Sequence, residues 1–139
     1  MKTNLFFILI LFVLSPKNSF AQANMKFNQT FSPIHVTQVE VELKNKNFVL
    51  KTIKGSRIVI EILVEISSPN TNLLEFIGKS GRYDLEKTFH TKTKTLTLTT
   101  KSQKDIITIK GNDISEQVSY VIYLPETIQV VTDTVAANF

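Results

Sequence analysis

A run of alternating β-branched residues in the middle of the chain leaves little freedom in the choice of fold. Residues 57–66 read RIVIEILVEI, and this period of two fits a strand rather than a helix, whose period is near 3.6. The β-branched residues also disfavour a buried helix. One face mixes Val59 and Leu63 with glutamates, which predicts a central strand covered on both sides for part of its length. The other face is aliphatic and comprises Ile58, Ile60, Ile62, Val64 and Ile66.

Similar alternation recurs along the chain at a spacing typical of β-hairpins. Glycine, proline and asparagine separate the runs, as tight turns require. The pattern predicts about seven or eight short strands and an all-β fold. Both an antiparallel β-sandwich and a short β-helix-like packing, with one short helix, fit this pattern. The predicted strands cover residues 39–43, 48–53, 57–66, 83–89, 93–100, 106–110, 116–124 and 128–131.

The short helix is predicted from an apolar cluster between two turn segments. Thr71 or Asn72 is expected to cap a helix over residues 73–77, and Gly78 is expected to end it. Its four apolar residues are too hydrophobic for a surface position, so the helix should plug one end of the β core. They are Leu73, Leu74, Phe76 and Ile77.

The stretch KTFHTKTKTLTLTTK, residues 87–101, is rich in lysine and threonine and admits two interpretations. A polyanion site would add arginine and stacking aromatic residues, and residues 91–104 contain neither. The alternative is a strand whose leucines, Leu96 and Leu98, face inward while its threonines face water. We therefore predict a strand with a solvated outer face, and no nucleic acid as partner.

The first 23 residues have the organisation of an export signal. A lysine precedes ten apolar residues, Leu5 to Leu14, and Ser15-Pro16 then breaks any helix. Ten residues span only ~15 Å as a helix, about half of the bilayer's hydrocarbon core. We predict a signal peptide over residues 1–23, with cleavage after Ala21 or Ala23, and no transmembrane span in the mature chain.

The predicted mature chain is an exported protein of the periplasm, the cell surface or the extracellular space. Residues 24–38 read as an extended lead-in, and residues 39–139 as one all-β domain. The formal net charge of +4 includes Lys2 and Lys17, and without these two cations it is +2. The sequence has no cysteine, which excludes disulfides, thiolate chemistry and a lipoprotein signal.

The sequence offers little catalytic or metal-binding chemistry. His35 and His90 lie far apart, with no second ligand at metal-binding spacing. The carboxylate pairs Glu40/Glu42 and Glu61/Glu65 would suit acid–base catalysis only inside a cleft, and alternating surface charge is the plainer explanation. The four glycines form no phosphate-binding loop. We predict no catalytic, cofactor-binding or metal-binding residues, and hence no enzyme.

Five basic residues surround the predicted strand 48–53 and are the one candidate binding site. They could contact an anionic glycan or the head groups of a lipid surface. Alternatively, Glu40, Glu42 and Glu61 could balance them across neighbouring strands. The five residues are Lys44, Lys46, Lys51, Lys54 and Arg57.

Three segments resemble sequences of a known group of proteins: TNLLEFIGKSGRYDLE, TLTLTTK and ITIKGNDISEQVSYVIYLPETIQV. Their core motifs are Gly81-Arg82-Tyr83 and the segment from Ser119 to Pro125, and the export signal contains Phe20-Ala21-Gln22. Over residues 39–132 the chain resembles secreted adhesin-type all-β proteins of Bacteroidota. In those proteins further strands follow the Pro-containing segment and stack as a β-helix-like solenoid. This sequence ends fourteen residues after Pro125, so we expect either a form that has lost those repeats or a truncated member of a longer family.

The resemblance implies a non-catalytic adhesion or structural module. Such a module would act through its sheet faces or through an open sheet edge, on a protein or glycan partner at the cell envelope. An exposed edge would also permit self-association by strand addition.

Overall fold

Ten strands and one helix lie within residues 21–44, 46–102 and 105–131, the part of the chain that the computed structural model describes. The fold is all-β, as the alternation predicts. The elements are β1 (Ala23–Phe31), β2 (Gln38–Glu42), β3 (Asn47–Ile53), β4 (Ile58–Ile66), α1 (Thr71–Lys79), β5 (Leu85–His90), β6 (Thr95–Thr100), β7 (Ile107–Ile109), β8 (Asn112–Ile114), β9 (Glu116–Pro125) and β10 (Gln129–Val131).

The strands form two four-stranded sheets and one small hairpin. The first sheet has the order β1-β4-β9-β3, the second has the order β10-β2-β6-β5, and β7 pairs with β8. One buried cluster contains residues of both sheets, so the sheets pack face to face as a sandwich. We call the side of each sheet that faces this cluster inner, and the opposite side outer.

Both four-stranded sheets are mixed, whereas the first of the two predicted packings, the antiparallel sandwich, has antiparallel pairs alone. β3 runs parallel to β9, and β2 runs parallel to both β6 and β10. The predicted turn at residues 54–56 therefore does not close a hairpin, because β9 lies between β3 and β4 in the first sheet. Alternation reports which side chains share a face, and it carries no information on which strands are neighbours.

β4 is the central strand that its sequence predicts. It pairs with β1 on one side and with β9 on the other, and its five inward aliphatic residues are all buried. The predicted cover on its second face is wrong, because Leu63 on the outer face is 40% exposed. Inward residues of β9 complete the centre of the core; they include Val118, Tyr120, Ile122 and Leu124.

The segment that we expected to be an extended lead-in contributes a nine-residue strand to the first sheet. β1 places Met25, Phe27 and Phe31 against the core, in register with β4. Gln29 is a polar residue at an inward position, so it interrupts the apolar alternation by which β1 would be recognised in the sequence. Its amide donates to the Leu85 carbonyl at 3.0 Å and accepts from the Leu85 N–H at 3.1 Å, which links β1 to the second sheet.

The helix plugs the core as predicted, but its ends and its exposed face differ from prediction. Asn70 is the N-cap, with its side-chain oxygen accepting from the Leu73 N–H at 3.0 Å. Gly78 lies inside the helix rather than after it, and a Cβ there would lie 2.0 Å from the Phe27 ring. Phe76 is 74% exposed, so the prediction that it is buried is wrong.

The lysine- and threonine-rich stretch forms the end of β5 and all of β6, and, contrary to prediction, the first part of the outer face of β6 is not solvated. β6 lies between β2 and β5, and Thr95 and Thr97 are only 8% and 7% exposed. The Thr95 hydroxyl donates to Gln38 Oε1 at 3.2 Å, and the Thr97 hydroxyl donates to Glu40 Oε2 at 3.3 Å. Neighbouring side chains on β2 cover these threonines, an effect of sheet order that the strand's own sequence does not reveal.

Candidate functional site

Arg82 and Tyr83 of the first motif and Tyr120 of the second lie around one ion pair, which joins Arg82 to Glu116. Arg82 donates through Nε to Glu116 Oε1 at 2.8 Å and through Nη2 to Glu116 Oε2 at 2.7 Å. Arg82 Nη2 also donates to the Asp105 carbonyl at 2.6 Å. The Tyr83 hydroxyl donates to Glu116 Oε1 at 2.7 Å, and the Tyr120 hydroxyl donates to the Tyr83 carbonyl at 3.1 Å. The motifs therefore join the α1–β5 loop to β9.

Hydrogen bonds and burial set the protonation states of Arg82, Tyr83 and Tyr120. The Arg82 and Glu116 side chains are only 15% and 18% exposed. The hydrogen bonds from Arg82 to Glu116 raise the pKa of the guanidinium, so Arg82 stays a cation. Burial, together with the hydrogen bond to Glu116, raises the pKa of Tyr83 well above its usual value. Burial raises the pKa of Tyr120 to about 12. Both phenols are neutral at ordinary pH and act as hydrogen-bond donors.

A cavity of about 250 Å³ adjoins the ion pair, and Lys46, Asp105 and Ile106 line it together with the Arg82–Glu116 pair. The charged atoms of that pair are directed at each other and at Tyr83. A bidentate pair of this kind positions backbone and resists proton transfer, because each charge stabilises the other. We interpret the motif cluster as a brace of the fold rather than as a reaction centre.

The five basic residues of the sequence prediction are distributed along β3 rather than gathered at one point. Lys44 and Lys46 precede the strand, Lys51 lies on it, and Lys54 and Arg57 follow it. The strand separates the two ends of this set by about 20 Å at ~3.3 Å per residue. Within the described part of the chain, none of the five forms a salt bridge. Lys51 instead lies over the Tyr123 ring, 5.7 Å from its centroid.

Two of the three glutamates expected to balance these charges, Glu40 and Glu61, have other partners. Glu40 and Glu42 lie on β2, in the second sheet, and Glu40 accepts from the Thr97 hydroxyl. Glu61 pairs with Lys26 at 3.3 Å across β1 and β4. The predicted balance across neighbouring strands is therefore wrong.

The paired carboxylates and the histidines do not come together. Glu40 and Glu42 lie on one sheet, while Glu61 and Glu65 lie on the outer face of the other. His35 is in the β1–β2 connection and His90 ends β5, and both are exposed. Over the described ranges, no group of three or more histidine, cysteine, aspartate or glutamate side chains could hold a metal ion.

The outer face of the first sheet carries a groove that the sequence analysis did not identify. The groove has a volume of about 540 Å³ and lies between two rows of side chains that cross the sheet. The end row consists of Asn24, Glu65 and Gln117 on β1, β4 and β9. The second row consists of Lys26, Leu63, Ser119 and Asn47 on β1, β4, β9 and β3. We call this feature the amide groove.

The floor of the amide groove is backbone. Met25, Val64 and Val118 form the intervening row, and alternation directs their side chains into the core. Alternation in the sequence does indicate that each groove residue faces outward, since each is the polar or exposed neighbour of an inward apolar residue. Sequence reasoning missed the site because only the strand order places β1 and β3 on either side of β4 and β9.

Apolar side chains continue the outer face beyond the groove. Val49 is 50% exposed on β3, and it is paired with Val121 on β9. Leu63 lies diagonally across from Val121, within reach for side-chain contact. Tyr123 and Val59 are directly paired one row further on. We call these five residues the outer-face patch.

In the portion of the chain that is described, no helix is both long and apolar enough to cross a bilayer.

Comparison with known proteins gives no family. No family model matches the sequence, and no curated protein does. One solved structure that matches is that of a "putative cell adhesion protein" from Clostridium sporogenes, at 14% identity and a TM-score of 0.38. The match covers 78% of this chain, which spans 45% of that protein's length. At this TM-score the likeness carries no argument about fold or function, and the adhesin-type resemblance stays a prediction.

Proposed function

We propose that this protein is an exported, non-catalytic module of adhesion or structural type that contacts a partner at the cell envelope through the outer face of its first sheet. The observation that carries the proposal is the outer-face patch beside the amide groove. Val49 and Leu63 are half exposed there, although the neighbouring core buries its aliphatic residues almost completely. Exposed apolar groups rimmed by polar ones are typical of interaction sites.

Export is supported by the sequence of residues 1–23, which lies outside the described residues except for its last three. A charged start, a ten-residue apolar run and small residues before Asn24 are the parts of a signal peptide. The absence of cysteine makes the fold independent of the redox state of the compartment.

The test is co-sedimentation of the exported protein with envelopes isolated from the producing cell. Leu63→Ser removes apolar contact area from the outer face of the first sheet and should weaken retention about tenfold, the value of a buried leucine side chain at a contact. Thr88→Ser, on the exposed outer face of the second sheet, is the matched control and should leave retention unchanged. Equal retention of both variants, or no retention of the wild type, would count against the proposal.

A second candidate is binding to an anionic glycan or lipid surface through Lys44, Lys46, Lys51, Lys54 and Arg57. It is favoured by the lack of ion pairs for these five cations within the described residues. Such binding should weaken steeply as salt is raised, since exposed charges are screened. Sedimentation with anionic vesicles at low and high ionic strength measures this. Binding that ignores salt, or equal binding to neutral vesicles, contradicts it.

Self-association through the β3 edge is a third expectation. β3 is seven residues long, ends the first sheet, and contains no proline. Unpaired edges of this length are templates for strand addition. Light scattering during size-exclusion chromatography should show a dimer that Val49→Pro abolishes, because proline cannot donate to a ladder. A monomer at all concentrations excludes this route.

A further inference from the structure

We propose that the amide groove binds a neutral glycan. This inference rests on the proposed function and deepens it, because it names the chemical class that the outer face of the first sheet recognises. The groove's volume of about 540 Å³ lies within the range of roughly 300–1,000 Å³ that small-ligand sites occupy. Its two rows stand about 7 Å apart along the strands, and the second row crosses all four strands at ~4.8 Å each.

Four uncharged polar side chains of the groove are unused by the fold. Across the described residues, the side chains of Asn24, Asn47, Gln117 and Ser119 form no hydrogen bond within the protein, although their backbone groups pair in the sheet. Each carboxamide offers two donor hydrogens and an acceptor oxygen, and the serine hydroxyl offers both functions. A sugar presents hydroxyls that also donate and accept, so donors and acceptors from both rows can be matched on one ring or on adjacent rings.

The charges of the groove do not select an anion. Lys26 is the one cation in its lining, and the carboxylate of Glu61 neutralises it at 3.3 Å. Glu65 in the end row has no cationic partner within the described part of the chain, and it would repel phosphate, sulfate or carboxylate groups. The same carboxylate is a good acceptor for a sugar hydroxyl. Leu63, 40% exposed in the second row, supplies an apolar surface for the C–H side of a sugar ring.

An extended peptide fits this site poorly. Peptides that join a sheet use free backbone groups at an edge strand. The amide groove crosses β4 and β9, two internal strands whose backbone groups are bonded to neighbours on both sides. Recognition must therefore come from side chains, and this set of side chains is rich in amides and poor in charge.

The experiment uses the exported wild-type protein, produced from the full chain, on an array of neutral hexose and N-acetylhexosamine oligomers. Asn24→Ala and Gln117→Ala should each weaken binding by at least about fivefold, the value of one ligand hydrogen bond. Asn28→Ala is the matched control. Asn28 is exposed on the same strand and the same face as Asn24, but it lies opposite Glu61, outside the groove.

The inference is supported if the wild type binds a neutral oligomer and if Asn24→Ala and Gln117→Ala both weaken that binding. Asn28→Ala should change the affinity by no more than about twofold, which is too small a change to represent a lost hydrogen bond. Absence of neutral-glycan binding, binding restricted to sulfated or phosphorylated glycans, or an equal effect of Asn28→Ala overturns it. If the envelope test with Leu63→Ser succeeds while Asn24→Ala retains full envelope binding, the groove inference fails and the proposed function stands. If envelope retention itself is absent, both fail.

Discussion

Breaking the Arg82–Glu116 ion pair should be the most damaging single change outside the aliphatic core. Glu116→Ala removes both carboxylate acceptors of the Arg82 guanidinium, which is only 15% exposed and keeps its hydrogen bond to the Asp105 carbonyl. It also removes one acceptor of the Tyr83 hydroxyl. Removing one member of a buried pair costs about 3–5 kcal/mol, a large part of the ~5–15 kcal/mol that stabilises a domain. At about 4 °C per kcal/mol for a domain of this size, Tm should fall by about 15 °C.

The control for this prediction is the exposed pair between Lys26 and Glu61. Its side chains are 54% and 26% exposed, and Glu61→Ala should cost no more than about 1 kcal/mol, because water screens the pair. Urea denaturation of both variants, and of the double variant Arg82→Met/Glu116→Leu, gives the free energies of unfolding. The double variant should recover much of the loss, since the uncompensated charge is gone. A Glu116→Ala loss no larger than that of Glu61→Ala would refute the interpretation of this pair as a brace.

Three further predictions concern packing, pH and processing. Gly78→Ala should lower the free energy of unfolding by about 1–3 kcal/mol in thermal melts, because the added Cβ would overlap the Phe27 ring. Alanine otherwise favours helices over glycine, so a neutral or stabilising effect would contradict this prediction. The pKa of Tyr120 is raised to about 12 in the folded chain, so its contribution to stability is complete below pH 10 and is lost as pH rises toward 12. The free energy of unfolding of Tyr120→Phe should therefore fall less steeply between pH 10 and pH 12 than that of the wild type. An equally steep fall would exclude Tyr120 as its source. The intact mass of the exported protein should show cleavage after Ala21, which keeps Ala23 in the mature chain. Ala23 belongs to the folded domain, because it is 2% exposed in β1 and its N–H donates to the Ser68 carbonyl at 2.8 Å. A mature chain that begins at Asn24 would contradict this prediction.

The all-β class and the inner faces could be predicted because each depends on one strand at a time. The inward aliphatic residues of β4 and the inward Tyr120 and Ile122 of β9 follow from alternation alone. The predictions that failed depend on which segments lie next to each other in the fold. Thr95 and Thr97 look like surface residues until the strand order places β2 beside them, and Gln29 conceals β1 because its partner, Leu85, lies fifty-six residues away.

The candidate site could not be predicted for the same reason. Lys44 to Arg57 stand out as a cluster in the sequence, yet β3 spreads them along one sheet edge. The amide groove collects two outward side chains each from β1, β4 and β9 and one from β3, and none of them stands out in its own segment. Asn24 and Asn47 become part of one surface only through the parallel pairing of β3 with β9 and the antiparallel pairing of β1 with β4.

The most direct measurement of the central proposal uses the absence of cysteine from the chain. Leu63→Cys and Thr88→Cys each introduce a single thiol, on the outer faces of the first and second sheets, for a polarity-sensitive fluorophore. Isolated envelopes are then added to each labelled protein. We expect the emission of the label at position 63 to shift and saturate, while the emission of the label at position 88 stays unchanged. A shift at position 88 alone, or equal shifts at both positions, would contradict it.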